Sequence, residues 1–288
     1  MTIKLARPVQ ARPVQARPVH PRLWRNLALA SASVTMAAMP VLAQDQSRAL
    51  DRAAKMGATL WLAQTEGGEA GESGSVASGD DTVDFLAGLL QIEGHLNTGF
   101  ALWAEGDVLN GQAHLGHPMV EVYQGIEHEM DVLGQPQFDD TLAELVDAAA
   151  DGKDQAGLDA IRAVVLADID AARTAAVAKD PRDDFTALVH LIRKAGDEWS
   201  KGVVNGAVGA LHEYQDAWGF VQAARDRALL LTASPDPAVT AAATATLVAL
   251  DELAPALPAV TPTGPIGGDA ALFAAAAAKI ELAAFKVK

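Results

Sequence analysis

Most of this chain has little choice but to be helical. Alanine, the strongest helix former, is its commonest residue, and no run alternates β-branched and polar side chains as a half-buried strand does. Phe85, Leu89, Ile92, Leu96 and Trp103 follow one another at spacings of 4, 3, 4 and 7, which holds them on one helical face. Asp80 or Asp81 caps that helix and Gly106 ends it. A shorter helix is predicted over about 107–130, with Pro118 tolerable only where a new first turn begins. Phe138 to Ala150 and Leu158 to Val177 then form a helical hairpin that turns near Gly152 and Gly157, and Pro181 marks the start of the next helix. Asp197 to Leu231 reads as one dominant helix. Its Gly202, Gly206, Gly209 and Gly219 point to close approach of a neighbouring helix. Two Ala-rich helices, near 237–253 and 269–285, follow a Pro/Gly-rich connection over residues 255–268. The expected fold is all-α, an antiparallel helical bundle over residues 82–288, built as one bundle or as two packed helical halves.

The first residues follow other rules. Three copies of a pentapeptide begin at Ala6, Ala11 and Ala16, and Lys4, Arg7, Arg12, Arg17, Arg22 and Arg25 precede any acid. An apolar run from Leu27 to Ala43 closes on Val41-Leu42-Ala43. A basic region, an apolar region and a small-residue exit, in that order, describe a secretory signal peptide over residues 1–43. The run of about 17 residues contains Pro40 and is short for a membrane span, which needs roughly 20. The expectation is a periplasmic protein with no stable membrane insertion after cleavage. Residues 44–65 are expected to form an N-terminal helix. Residues 66–81, rich in Gly, Ser and acids, read as a flexible linker.

Charge and composition narrow the function. With 22 Lys+Arg against 37 Asp+Glu, the net charge is −15, and it would reach −21 without the six basic residues of the leader. Such a chain lacks the clustered Lys/Arg that duplex nucleic acid demands; it suits cations and basic protein partners. The absence of cysteine excludes disulfides, thiolate metal sites, iron–sulfur clusters and a Cys nucleophile. No Gly-x-Ser-x-Gly elbow and no phosphate-binding Gly-rich loop is present, so no enzyme class is expected.

Histidines beside acids remain. His114 and His117 lie three apart on one helix face, and Glu121 continues their stripe four residues on if the helix recovers after Pro118. His212 and Asp216, four apart on another helix, form a second two-ligand pair, with Glu213 beside them. Adjacent helices of a bundle can bring such pairs onto one ion, and imidazole with carboxylate suits Fe, Zn, Cu or Ni. The candidate metal ligands are therefore His95, His114, His117, Glu121, His212, Glu213 and Asp216, with Glu93 as a further carboxylate. The competing structural readings are a solvated His95 and His128, a core His190 among apolar neighbours, and a solvated Glu127-His128-Glu129 face.

At these clusters the chain resembles the exported, all-helical proteins that accompany bacterial iron and other metal uptake, the imelysin-like group in particular. Where that group carries Gly-x-His-x-x-Glu, this sequence has Gly116-His117-x-x-x-Glu121 and Gly111-x-x-His114. The resemblance implies capture or delivery of a transition metal, most plausibly iron, without turnover and in company with a membrane transporter. The alternative is a metal-free helical scaffold whose acidic face docks a basic partner. The leader reading makes a direct prediction: mass spectrometry of the exported protein should find its N-terminus close to Gln44 or Asp45. Retention of the pentapeptide repeats would defeat it.

Overall fold

The computed structural model describes residues 78–177 and 180–288; the expected signal peptide, N-terminal helix and most of the linker lie outside them. The described residues are all-α, apart from one minimal hairpin. Helix α1 (Asp81–Glu105) begins where Asp80 accepts the N–H groups of Thr82 and Val83, and it stops at Gly106, whose φ of 85° is open to glycine. Helix α2 (Val108–His117) starts from an Asp107 cap. Pro118 has no N–H to offer the preceding turn and its ring crowds that turn's carbonyl, so Pro118–Val122 widens into a π-turn. Beyond it the chain returns to α geometry as α3 (Tyr123–Val132). Helices α4 (Asp139–Ala150) and α5 (Gln155–Val177) make the expected hairpin.

The long helix expected over Asp197 to Leu231 does not form. Helix α6 (Arg182–Gly202) ends in strands β1 (Val203–Val204) and β2 (Ala207–Val208), and α7 (Leu211–Leu231) begins after them. The break is a two-residue Asn205-Gly206 turn with φ of 52° and 74°, flanked by Val203-Val204 and Ala207-Val208. Asn-Gly between apolar pairs is the strongest short hairpin signal, and here it overrides helical propensity on both sides. Gly206 therefore serves the turn, while Gly202 does meet a neighbour, the backbone of Tyr214.

Helices α6, α7, α8 (Pro237–Asp251) and α9 (Ala271–Ala284) pack in a closed ring, each against the next and α9 back onto α6. Helix α1 lies across α6 and α7, and its other sides carry α2, α3 and α5. That central position explains why α1 buries apolar residues around much of its circumference rather than along one stripe. The segment linking α8 to α9 is tied down by Trp199 Nε1 donating to the Ala256 carbonyl (3.0 Å) and Tyr214 Oη donating to that of Ala259 (2.7 Å). No helix among the described residues is long and apolar enough to cross a membrane.

The α1–α7 crossing is the tightest junction. A Cβ on Gly219 would stand 2.1 Å from Thr98 Oγ1 and 2.4 Å from the Gly94 carbonyl oxygen, and one on Gly94 would stand 2.5 Å from the Phe220 ring. Thr98 Oγ1 also donates to the Gln215 carbonyl across this crossing at 2.9 Å. Gly219→Ala should therefore destabilise the fold by about 1–3 kcal/mol through overpacking, lowering Tm by several degrees. Gly125→Ala, a helical position with open space around it, should leave Tm unchanged or raise it. Equal Tm values for the two variants would contradict the packing assigned to the crossing.

Candidate metal centre

The crossing puts His95 of α1 beside Asp216 of α7, one turn before Gly219 on its helix. Helix α2, lying along α1, adds His114 and His117 from the same face, three residues apart. Three elements thus converge on one carboxylate oxygen. Asp216 Oδ1 lies 2.9 Å from His95 Nδ1, 3.0 Å from His114 Nδ1 and 3.8 Å from His117 Nδ1. His95, His114, His117 and Asp216 each offer a ligand atom within 4.8 Å of the others, and all four are buried.

His95 Nδ1, His114 Nδ1 and Asp216 Oδ1 are shielded from solvent, and the two nitrogens face the carboxylate oxygen at 2.9 and 3.0 Å. Gln215 orients His114 from behind: its Oε1 can only accept, so His114 Nε2 (3.0 Å) donates to it, while Nδ1 faces Asp216. Burial pushes the His114 imidazole below its usual 6.5, against the pull of Asp216, and keeps it neutral and ligand-competent at pH 7. Burial pushes Asp216 up, but the His95 and His114 rings outweigh it and hold the carboxyl well below the ordinary range. Phe220 closes one side, edge-on to His95 with ring centroids 5.1 Å apart. Three imidazoles around a buried, ionised carboxylate are groups that could hold a cation. The donor set of three imidazoles and a carboxylate fits a first-row transition metal.

The other sequence candidates fall in different places. Glu121 sits on the π-turn with its side chain 25% exposed. Its Oε2 lies 3.6 Å from His95 Nε2 and its Oε1 lies 3.6 Å from His117 Nδ1, at the rim of the cluster. His212 is buried beside His114 and His117 at centroid distances of 5.3 and 6.1 Å, but its Nε2 donates to Asn110 Oδ1 (3.1 Å), outside the four-residue group. Asn110 is held in turn by Asp107, so this pair braces the start of α2 against α7. Glu213 is half-buried; burial raises its carboxyl while Lys201 pulls the other way. Glu93 turns to α5 and pairs with Arg173 at 2.5 Å.

Of the competing structural readings, a solvated His95 is overturned, since the crossing buries it to 1% exposure. His128 is exposed, as that reading has it. His190 is not a core histidine: it is half-buried and lines a cavity with Asp84, Gln91, Arg193, Lys194 and Ser200. Gln215, Asn110 and Thr98, which orient the cluster, carry no sequence signal of their own beyond adjacency to it.

Residues 174–284 match a family model described as the iron permease-associated 4-helix bundle domain. The matched stretch takes in α6 to α9, the closed ring of four helices. No curated protein and no solved structure matches the chain. The chain is thus similar to an iron-uptake-associated helical protein, the wider class to which the sequence resemblance pointed; the match does not extend to the imelysin-like group itself. Asp216, His212 and Glu213 fall within the matched region, while His95, His114, His117 and Glu121 precede it.

The electrostatics yield an acid-sensitivity test. Unfolding returns His114 to about 6.5, so between that pH and its lower folded value the unfolded chain holds a proton that the folded chain refuses. Stability must fall as pH drops through this window, and Asp216 adds a loss of the same sign below about 3.8. In the presence of chelator, Tm should fall more steeply from pH 7 to 5 for the wild type than for His114→Gln. Parallel pH profiles would show that His114 is not buried as a neutral imidazole.

Proposed function

We propose that this protein captures a transition-metal ion, iron above all, at His95, His114, His117 and Asp216, and passes it to a membrane transporter without chemical turnover. In this reading the chain is exported to the periplasm with residues 1–43 removed. The observation that carries the proposal is the burial of three imidazoles around one carboxylate oxygen, with no charged partner for it among the described residues but those rings and with Gln215 orienting His114 from behind. An arrangement of this kind stores a cost in the metal-free protein that a bound cation removes. The similarity of residues 174–284 to an iron permease-associated bundle supports iron as the ion and a transporter as the partner. The acidic balance of the chain favours accumulation of cations around it.

The test uses the full chain stripped with chelator and then given Fe(II) without oxygen, or Zn(II), Cu(II), Ni(II) or Mn(II). At 100 times its dissociation constant a bound ion adds about 2.7 kcal/mol, enough to raise Tm by several degrees. Asp216→Asn and His114→Gln should each abolish the shift, and the double variant should lose no more than either, because one ion cannot be removed twice. His128→Ala should keep the full shift. Affinity should fall steeply between about pH 7 and 5 as protons compete for the imidazoles. A wild type unmoved by all five metals at neutral pH would overturn the proposal, leaving an acid-faced docking scaffold in its place.

A further inference from the structure

The cluster contains two groupings of donors, not one, and His95 belongs to both. Its Nδ1 faces Asp216 Oδ1 at 2.9 Å, in company with His114 Nδ1. Its Nε2 faces Glu121 Oε2 at 3.6 Å, and Glu121 Oε1 lies 3.6 Å from His117 Nδ1. His117 Nδ1 stands between the two carboxylates, 3.8 Å from Asp216 Oδ1. Exposure separates the groupings. Side chains around Asp216 are 0–8% exposed, whereas that of Glu121 is 25% exposed.

Resting on the reading of this cluster as a metal site, we infer that it has two stations. An outer one, formed by Glu121, His95 Nε2 and His117 Nδ1, exchanges the ion with the surroundings. An inner one, formed by Asp216, His95 Nδ1 and His114 Nδ1, retains it. Separations of 2.9–3.6 Å between carboxylate and imidazole atoms in each grouping are those of ligands that can share one small cation. A neutral imidazole offers one lone pair, so His95 serves one station at a time. The N–H on its other nitrogen then faces the carboxylate of the station left behind, which accepts it. The stations are therefore alternatives for a single ion, and His117 swings its nitrogen between them. The π-turn that carries Glu121 supports this assignment: the widened turn at Pro118 sets the carboxylate at the rim, four residues beyond His117. A protein built to keep its metal needs no carboxylate at the lip, whereas one built to receive and surrender an ion needs a ligand that solvent or a partner can reach.

The experiment follows Zn(II) binding to the full chain by stopped flow, and its release to a chromogenic chelator, in the wild type, Glu121→Gln and Asp216→Asn. The wild type should bind one ion per chain. Glu121→Gln, isosteric and only partly buried, should also bind one ion with a Kd within a few fold of the wild type, while its association and release rates both fall about tenfold, about 1.4 kcal/mol on each barrier. Glu121→Asp, which keeps the charge, should recover part of both rates. Asp216→Asn should lose tight binding. If Glu121→Gln weakens Kd and speeds release, Glu121 is an ordinary ligand of one static site and the two-station inference is wrong. Unchanged rates overturn it equally. In both cases the metal site stands, and only a wild type that binds no Zn(II), Fe(II) or other first-row ion brings down the site itself. Circular dichroism of each variant at matched concentration separates lost binding from lost fold.

Discussion

Everything distinctive in this molecule depends on how closely α1 crosses α7. Glycine on both helices, Gly94 and Gly219, lets the backbones approach until Thr98 Oγ1 reaches the Gln215 carbonyl. Packing at that range carries a neighbour's side chain along with it. His95 follows Gly94 directly, and Asp216 lies one turn before Gly219, so the junction that relieves the steric problem also sets imidazole against carboxylate. Any Cβ at the crossing would force the helices apart and open the 2.9 Å contact. Stability and site geometry are one property here, because the same interhelical distance fixes both.

Burying so much polarity is costly unless something offsets it. A carboxylate and three imidazoles removed from water lose hydration, and at the centre of this cluster they have chiefly one another to replace it. The protein lessens the cost in two ways. Burial holds His114 neutral, and the facing His95 and His114 rings keep Asp216 ionised against its own burial. Around that centre Gln215 and Phe220 restrict the rings, so little further ordering is needed when a cation arrives. The ion pairs elsewhere contrast with this arrangement. Arg227 grips the buried Asp184 through two hydrogen bonds and Arg173 reaches the half-buried Glu93 at 2.5 Å, so these carboxylates have a protein cation of their own. Asp216 has only imidazoles.

The sequence made the helices easy to find and the break between α6 and α7 easy to miss, for physical reasons. Ala-rich segments with apolar residues at helical spacing leave little alternative, and Asp80 and Gly106 bound α1 through backbone chemistry legible in a single residue each. The hairpin at 203–208 was equally local: Val-Val-Asn-Gly-Ala-Val states its own turn, but the surrounding helical glycines invite a reading as packing positions. Pairing within a helix was also readable, since His114 with His117 and His212 with Asp216 follow from spacing alone. Which member of the second pair faces the first was not. That depends on the rotation of α7, which the glycine crossing sets by placing Asp216 inward and leaving His212 to Asn110. For the same reason the sequence left His95 open between a metal ligand and a solvated side chain. Its burial is decided by α7 and α2 from far along the chain, and no local pattern reports it.

The division of the candidate site between two regions bears on how the proposed metal binding would arise. The four-helix ring similar to iron permease-associated bundles supplies a single carboxylate, Asp216, and every clustered imidazole comes from helices that precede the matched stretch. A bundle offering one acid on one helix has no means of holding a transition metal against water. Laying α1 and α2 across it adds three imidazoles and removes the acid from solvent in the same step, which under the proposed reading would raise cation affinity through added ligands and a lower local dielectric. The seam is also where a handover would be least disruptive. An ion held between two packed layers is reached by loosening their contact at the rim, at Glu121 on the π-turn, while the closed ring of α6 to α9 keeps its own core intact. On this account the bundle is the platform, the added helices make it a metal site, and the irregular turn forced by Pro118 keeps one edge of that site within reach of the outside.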